Sequence, residues 1–335
     1  MARVPVNPLA LSQDPPPPSA RSAHVEASSG LIGGLIRTLR PHQWVKNLFV
    51  FAPMFFHKDV FVTSAAGVPA LNLIVTGQAL LATLIFCFLA GAVYTMNDLV
   101  DVDADRVHPI KRLRPIASHR VPEHLARMMA VGLVVLSLTL AWLLDLRFAI
   151  VALVYFVENM AYSFKLKKVA FLDVGMIAFG FVLRVIAGGF ATHVRVSKYM
   201  LVCTLLLALF LGFGKRRHEL SAQNAGKQRR ALDTYTVRSL NVALALTGTG
   251  AAITYVAYTV APSTRMFFQS DYLWLTAPFT VFGILRFLML VSGRAGRGLR
   301  AESPTQEMLR DAPFVFNLLF WFVGIVVIVY RLRPT

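Results

Sequence analysis

Apolar residues gather along this chain into stretches of roughly 18 to 25 residues, each long enough to cross the hydrocarbon core of a bilayer as a helix. Nine segments read this way: Trp44 to Val62, Leu73 to Met96, Leu125 to Leu144, Phe148 to Phe164, Ala170 to Phe190, Tyr199 to Phe213, Leu240 to Ala261, Tyr272 to Val291 and Pro313 to Tyr330. Gly, Pro and Thr interrupt several of them, as membrane helices tolerate. The pattern predicts an all-α membrane protein with nine transmembrane helices. Composition agrees: 56% of the 335 residues are hydrophobic, 15% are charged, and the mean hydropathy is +0.60, outside the range of soluble domains.

Charge sets the orientation. Nineteen Lys and Arg follow the second, fourth, sixth and eighth spans, whereas the odd spans end on only Lys58, Arg147, Arg195, Lys198 and Arg265, with Arg331 and Arg333 in the tail. The positive-inside rule puts the N-terminus and the basic loops in the cytoplasm and the C-terminus outside, which implies a multi-pass protein of the cell membrane. The formal charge of +17 is then a topology signal with attraction to anionic membrane lipid. Nucleic acid is excluded as a partner, because the cations are divided among membrane loops and form no single basic module.

The first 29 residues differ. They hold Pro15 to Pro18 with Ser and Ala and few bulky groups, the composition of a disordered cytoplasmic tail, ahead of one membrane domain over residues 30–335. No apolar core with a small-residue cleavage site follows Met1, so no cleaved signal peptide is expected. Leu31 to Leu39 places Leu and Ile opposite Arg37 and Arg40, the pattern of a short interfacial helix. Cys87 and Cys203 both fall inside spans, where packing is their expected role.

The chemistry concentrates where the second span ends, at Asn97-Asp98-Leu99-Val100-Asp101-Val102-Asp103-Ala104-Asp105. On a continuous helix Asp98, Asp101 and Asp105 occupy i, i+3 and i+7 and share a face, while Asp103 lies about 140° from Asp98. Three carboxylates on one face call for a cation. Mg²⁺ suits them, since it takes few carboxylates and completes its shell with water and phosphate oxygens. Arg106, Lys111, Arg112 and Arg114 follow at once and can hold further phosphate oxygens. The plainer reading is a solvated acidic-basic loop.

Three further clusters lie on the cytoplasmic side. One is Tyr162, Ser163, Lys165, Lys167 and Lys168 with Asp173; another is Lys215-Arg216-Arg217-His218-Glu219; the third is Arg40, Lys46 and Asn47 around Trp44. Each also has a bland reading as interfacial aromatics, snorkelling cations or topology signals. Arg184 stands inside an apolar span, where a charge costs on the order of 3 kcal/mol or more unless paired or hydrated. It is expected to face a polar cavity, with the aspartates of the first cluster or a bound phosphate as partners. The chain has no nucleotide-binding G-x-x-x-x-G-K-[ST], no H-E-x-x-H, no paired cysteines and no serine nucleophile elbow, which removes several hydrolase and metalloprotein classes.

Asn97-Asp98 with Asp101 and Asp105 resembles the first aspartate motif of the UbiA superfamily of intramembrane prenyltransferases. That resemblance implies nine transmembrane helices around a central cavity. The superfamily's second motif is aspartate-rich, and here the chain departs from it. Tyr162-Ser163, Leu166-Lys167 and Asp173 resemble instead the decaprenyl-phosphate phosphoribosyltransferase branch. So do Arg40-Pro41-His42-Gln43-Trp44-Val45-Lys46-Asn47, Leu183-Arg184 with Gly188-Gly189, and Lys215-Arg216 with Glu219-Leu220. The resemblance runs from about Leu39 to the C-terminus.

It implies transfer of 5-phosphoribose from phosphoribosyl pyrophosphate to decaprenyl phosphate, a step toward a cell-wall arabinan precursor. It implies Mg²⁺ on Asp98, Asp101 and Asp105, with Asn97 and Asp173 as further ligands or supports, and Lys46, Asn47, Arg114, Tyr162, Lys167, Arg184, Lys215 and Arg216 around the donor. Homo-oligomer formation in the membrane is compatible with this reading. Two other readings compete. An aromatic or quinone-type prenyltransferase would share the fold but carry its diphosphate on the lipid. A transporter would explain the spans and Arg184, but gives no reason for three metal-spaced carboxylates at a cytoplasmic helix end.

Overall fold

The computed structural model describes residues 30–56, 60–63, 69–221, 234–292 and 308–330. The expected tail over residues 1–29 lies outside them. Helix α1 covers 30–38, a 3-10 helix runs Pro41–Phe51, and α2 is the short Ala52–Phe56. After a small hairpin of β1 (Phe61–Thr63) and β2 (Pro69–Leu71) come α3 (Leu73–Val100), α4 (Val102–Val107), α5 (Glu123–Leu144), α6 (Leu146–Phe164), α7 (Leu172–Ala191) and α8 (Lys198–Ser221). The chain continues through α9 (Val237–Val260), α10 (Pro262–Phe268), α11 (Ala277–Val291) and α12 (Ala312–Tyr330).

Among the described residues, eight helices are long and apolar enough to cross a membrane. They correspond to the second through ninth expected spans. The first expected span, Trp44 to Val62, is not a continuous α-helix but the 3-10 helix followed by the five residues of α2. Pro41 opens the 3-10 helix after Arg40, whose φ of 52° breaks the chain away from α1. Pro53 lacks the N–H that would carry an α-helix through this point. At about 2.0 Å per residue in the 3-10 part and about 1.5 Å in α2, the segment extends roughly 30 Å, still a membrane-scale length.

The 3-10 period organises that segment. Side chains three apart eclipse one another, so Trp44, Asn47 and Val50 form one row and Gln43, Lys46 and Phe49 another. Asn47 and Val50 are buried, packed between α3 and α7. The approach is close enough that a side chain at Gly188 would stand 2.0 Å from the Val50 carbonyl oxygen, so α7 needs a glycine there. Helix α7 carries Ala178, Gly180, Ala187, Gly188 and Ala191 on its buried surface, the small-residue contact that lets membrane helices approach.

Two apolar cores flank α7. One gathers Ile85, Phe86, Leu89, Phe148, Tyr155 and Leu183 from α3, α6 and α7. The other gathers Val174, Phe210, Leu240, Leu244, Ile284 and Phe287 from α7, α8, α9 and α11. Large apolar side chains such as Leu80, Trp142, Leu246 and Phe320 point outward, as a lipid-facing surface requires. A satellite cluster of Val102, Ile116, Val121 and Ala126, with Leu31, Leu35 and Leu99 against it, pins the loop between α4 and α5 onto α1. That anchoring holds Arg114 over the end of α3.

Candidate active site

Helix α3 stops at Val100, and Asp101 occupies the turn that joins it to α4. The single face expected for Asp98, Asp101 and Asp105 is therefore broken in its middle. Asp98 and Asp105 are buried and face the same guanidinium: Arg114 Nη1 donates to Asp98 Oδ1 at 3.0 Å and to Asp105 Oδ2 at 2.5 Å. Arg40 Nη2 donates to Asp98 Oδ1 at 2.6 Å while its guanidinium lies over the Tyr94 ring. Asp101 turns the other way, and both of its oxygens accept from Lys167 Nζ at 3.0 and 2.9 Å. Asp103 leaves the site as expected, its side chain 91% exposed beside Arg106. Among the described residues, the buried Asn97 Oδ1, next to Asp98, has no hydrogen-bond partner.

These groups form one wall of a cavity of about 290 Å³. Of the residues expected at the site, Lys46, Asn97, Asp98, Asp101, Arg114, Tyr162, Lys167, Arg184, Lys215 and Arg216 line it. Asp105, Asn47 and Asp173 do not. Asp105 sits behind Arg114 and Asn47 behind Arg184. Asp173 sits behind Arg216, which donates from Nε to Asp173 Oδ2 at 2.7 Å and from Nη1 to Glu219 Oε2. Tyr235 donates to Asp173 Oδ1 at 2.6 Å and accepts from the Phe171 amide. Burial and then the Asp173 hydrogen bond push the Tyr235 phenol far above its usual range, which keeps it a donor. Both Asp173 oxygens thus serve Arg216 and Tyr235, and Asp173, unlike Asp101, does not line the cavity, so it orients a guanidinium from behind the wall.

Arg184 lines the cavity as expected, with partners other than the aspartates. It makes no ion pair with the α3 aspartates. Its Nε donates to Asn47 Oδ1 at 2.8 Å, Nη1 to the Gly180 carbonyl at 3.0 Å and Nη2 to the Tyr155 hydroxyl at 2.7 Å, and it lies over the Tyr155 and Phe181 rings. It ties the 3-10 helix to α6 and α7 while showing one face to the cavity. Asn47→Ala, which leaves Arg184 Nε unpaired, is expected to cost about 1–3 kcal/mol, read as a lower melting temperature in detergent. An unchanged melting temperature would show that this link carries no stability.

Arg40 and Lys111, both in the basic clusters that the sequence singles out, also line the cavity, together with Tyr94, Tyr155, Glu158 and Asn159, which it does not single out. Glu158-Asn159 had a visible signal: an ionisable residue within a span is a functional candidate for the same reason as Arg184. Tyr235 had none, since nothing in its spacing links it to Asp173.

Residues 50–302 match the UbiA prenyltransferase family. The chain belongs to that family. It is 34% identical to a decaprenyl-phosphate phosphoribosyltransferase from Mycolicibacterium smegmatis, over 90% of this chain and 93% of that protein. It is 33% identical to the protein of the same name from Corynebacterium glutamicum, over 90% of this chain and 88% of that protein. The fold resembles a UbiA homolog from Archaeoglobus fulgidus bound to GPP and Mg²⁺, with a TM-score of 0.64 at 20% identity over 88% of this chain and 99% of that one.

Proposed function

We propose that this chain transfers 5-phosphoribose from phosphoribosyl pyrophosphate to decaprenyl phosphate, giving decaprenylphosphoryl-5-phosphoribose for arabinan precursor synthesis. The observation that carries the proposal is the charge of the cavity. Arg40, Lys46, Lys111, Arg114, Lys167, Arg184, Lys215 and Arg216 line it against only Asp98, Asp101 and Glu158. That excess of cations suits a donor phosphorylated at two places, as well as an anionic acceptor. The relatives' shared name gives the same reaction class.

Mg²⁺ fits the α3 end. Among the described residues no three carboxylate, imidazole or thiolate side chains are grouped to hold a metal by themselves. Mg²⁺ does not need such a cage, because it is commonly bound by one or two carboxylates plus substrate phosphates. Asp98, Asp101 and the unpartnered Asn97 Oδ1 would hold it, with Asp105 fixing Arg114 behind them. The Archaeoglobus homolog's description as bound to GPP and Mg²⁺ supports this choice of metal. When bound, the ion would neutralise charge that develops on the departing pyrophosphate.

The chain's own residues supply the rest. Arg40 and Arg114, already positioned on Asp98, face the leaving oxygens; Lys46, Lys167 and Lys215 are the candidates for the 5-phosphate. Arg216, tied to Asp173 and Glu219, is a fixed background charge. The bond from ribose C1 to the pyrophosphate oxygen breaks, and an acceptor phosphate oxygen forms the new bond on the opposite face, inverting C1. That oxygen is already anionic, so no general base is required.

A second cavity of about 280 Å³, lined by Phe49, Phe56, Leu207, Tyr255, Ile284 and Trp321 among others, is almost wholly apolar and suits part of the isoprenoid chain. Phe49 and Phe181, whose rings meet edge to face at 5.0 Å, stand between it and the polar cavity. The loop charges support a cytoplasmic active-site mouth and N-terminus, on the side from which the water-soluble donor would enter.

The test is to incubate purified protein with radiolabelled phosphoribosyl pyrophosphate and decaprenyl phosphate, and in parallel with an aromatic acceptor and a polyprenyl diphosphate. An organic-phase product from the first pair alone supports the proposal; a product from the second pair alone overturns it. The 5-phosphate site has its own test. At least one of Lys46→Ala, Lys167→Ala and Lys215→Ala is expected to weaken inhibition by ribose 5-phosphate about 10- to 100-fold, the size of a charge-assisted phosphate contact. No weakening in any of the three would remove the case for a separate phosphate site.

A further inference from the structure

One acidic side chain in the cavity wall has no part in the metal end or in the cation set. Glu158 lies in the last two turns of α6, is 8% exposed and lines the cavity. Among the described residues it makes no ion pair. Its carboxylate accepts a hydrogen bond at Oε2 from Asn159 Nδ2 at 2.7 Å. The neighbouring cation, Arg184, directs three of its five donors to Asn47, the Gly180 carbonyl and Tyr155 and makes no hydrogen bond to Glu158. A half-satisfied carboxylate therefore faces the space in which the donor must bind.

Space is kept open in front of it. A side-chain carbon built on Gly180 would stand 3.5 Å from Arg184 Nη1, 3.7 Å from Glu158 Oε2 and 3.8 Å from the Tyr155 ring. The bare glycine leaves a niche bounded by a guanidinium, a carboxylate and an aromatic ring. Phosphate oxygens cannot be the partner of Glu158, because like charges in contact repel. The fitting partner is uncharged and donates hydrogen bonds through hydroxyl groups.

We propose that Glu158, oriented by Asn159, accepts hydrogen bonds from the vicinal hydroxyls of the donor sugar in the niche that Gly180 leaves open, and that it thereby selects a sugar diphosphate over a prenyl diphosphate. The inference rests on the phosphoribosyl reading of this same cavity. A prenyl diphosphate offers no hydroxyl and would leave the carboxylate buried and unpaired, the arrangement by which sites built around a substrate hydroxyl reject analogues that lack it. A hydrogen bond from the 2-hydroxyl to an anion also strengthens as positive charge develops at C1.

The experiment compares phosphoribosyl pyrophosphate with its 2-deoxy and 3-deoxy analogues on the purified full chain and on Glu158→Gln. The native protein is expected to lose about 10- to 100-fold in kcat/KM with at least one deoxy donor, the size of a hydrogen bond to a charged group. In Glu158→Gln that discrimination is expected to shrink to a few-fold, while inhibition by inorganic pyrophosphate stays within about twofold. If the variant turns over neither donor, the same ratio is read from competition with radiolabelled pyrophosphate for binding. Discrimination that is unchanged in the variant, by rate or by binding, overturns the assignment of Glu158 and leaves the phosphoribosyl reading standing. A native protein that uses no sugar donor but transfers from a prenyl diphosphate overturns both.

Discussion

Asp98→Asn is expected to lower kcat/KM by at least about 10²-fold, the range seen when an electrostatic element of an active site is removed. Asp98 is 4% exposed, lines the cavity, and accepts from both Arg40 and Arg114. Neutralising it unbalances two guanidiniums and removes a carboxylate from the proposed metal end. Asp105→Asn is expected to follow it through Arg114, with which it is also paired, and Asp101→Asn through the loss of both a cavity carboxylate and the anchor of Lys167. Asp103→Asn is the comparison. Its exposed side chain pairs with Arg106 away from the cavity, so activity should stay within about twofold. Steady-state kinetics on the four variants checks the pattern, and equal sensitivity at Asp103 would overturn the placement of the site.

The pattern in that prediction was visible in the sequence for a simple reason: charged residues next to long apolar stretches have few places to go. Asp98 through Arg114, Tyr162 through Lys167 and Lys215 through Arg216 all lie at or just beyond the ends of even-numbered spans, so one end of the bundle had to collect them. What spacing could not show was how the cations and carboxylates divide among themselves. Arg114 is sixteen residues from Asp98, and its insertion between Asp98 and Asp105 depends on a loop pinned by Val102, Ile116 and Val121. The helical-face argument failed at Asp101 because α3 ends one residue earlier. Trp44 to Val62 satisfied the hydropathy criterion for a helix, but hydropathy does not distinguish an α-helix from a 3-10 helix. Only the fit of Asn47 and Val50 between α3 and α7 does. Arg184 was identified as buried and facing a cavity, yet its partners, Asn47 and Tyr155, are neutral residues 137 and 29 positions away.

Asp173→Ala is expected to destabilise the protein by about 3–5 kcal/mol, as breaking a buried ion pair does when one charge is left behind. Asp173 is fully buried, and the Arg216 side chain is 2% exposed. Glu219 would remain on Nη1, but Nε and the Tyr235 hydroxyl would lose their acceptors. Tyr235→Phe removes one neutral hydroxyl, which donates to Asp173 and accepts from the Phe171 amide, and should cost about 1–2 kcal/mol. Melting temperatures in detergent would rank the two. The same residue offers a sharper comparison, because a metal ligand and an orienting group respond differently to Mg²⁺. In Asp173→Asn, which keeps the size and part of the hydrogen bonding, the extra stability conferred by Mg²⁺ with pyrophosphate should persist, since ligand binding to the folded state raises stability in proportion to occupancy. In Asp98→Asn that increment should fall away. Loss of the increment in Asp173→Asn, with its melting temperature otherwise preserved, would return Asp173 to the metal and require Arg216 to be held by Glu219 alone.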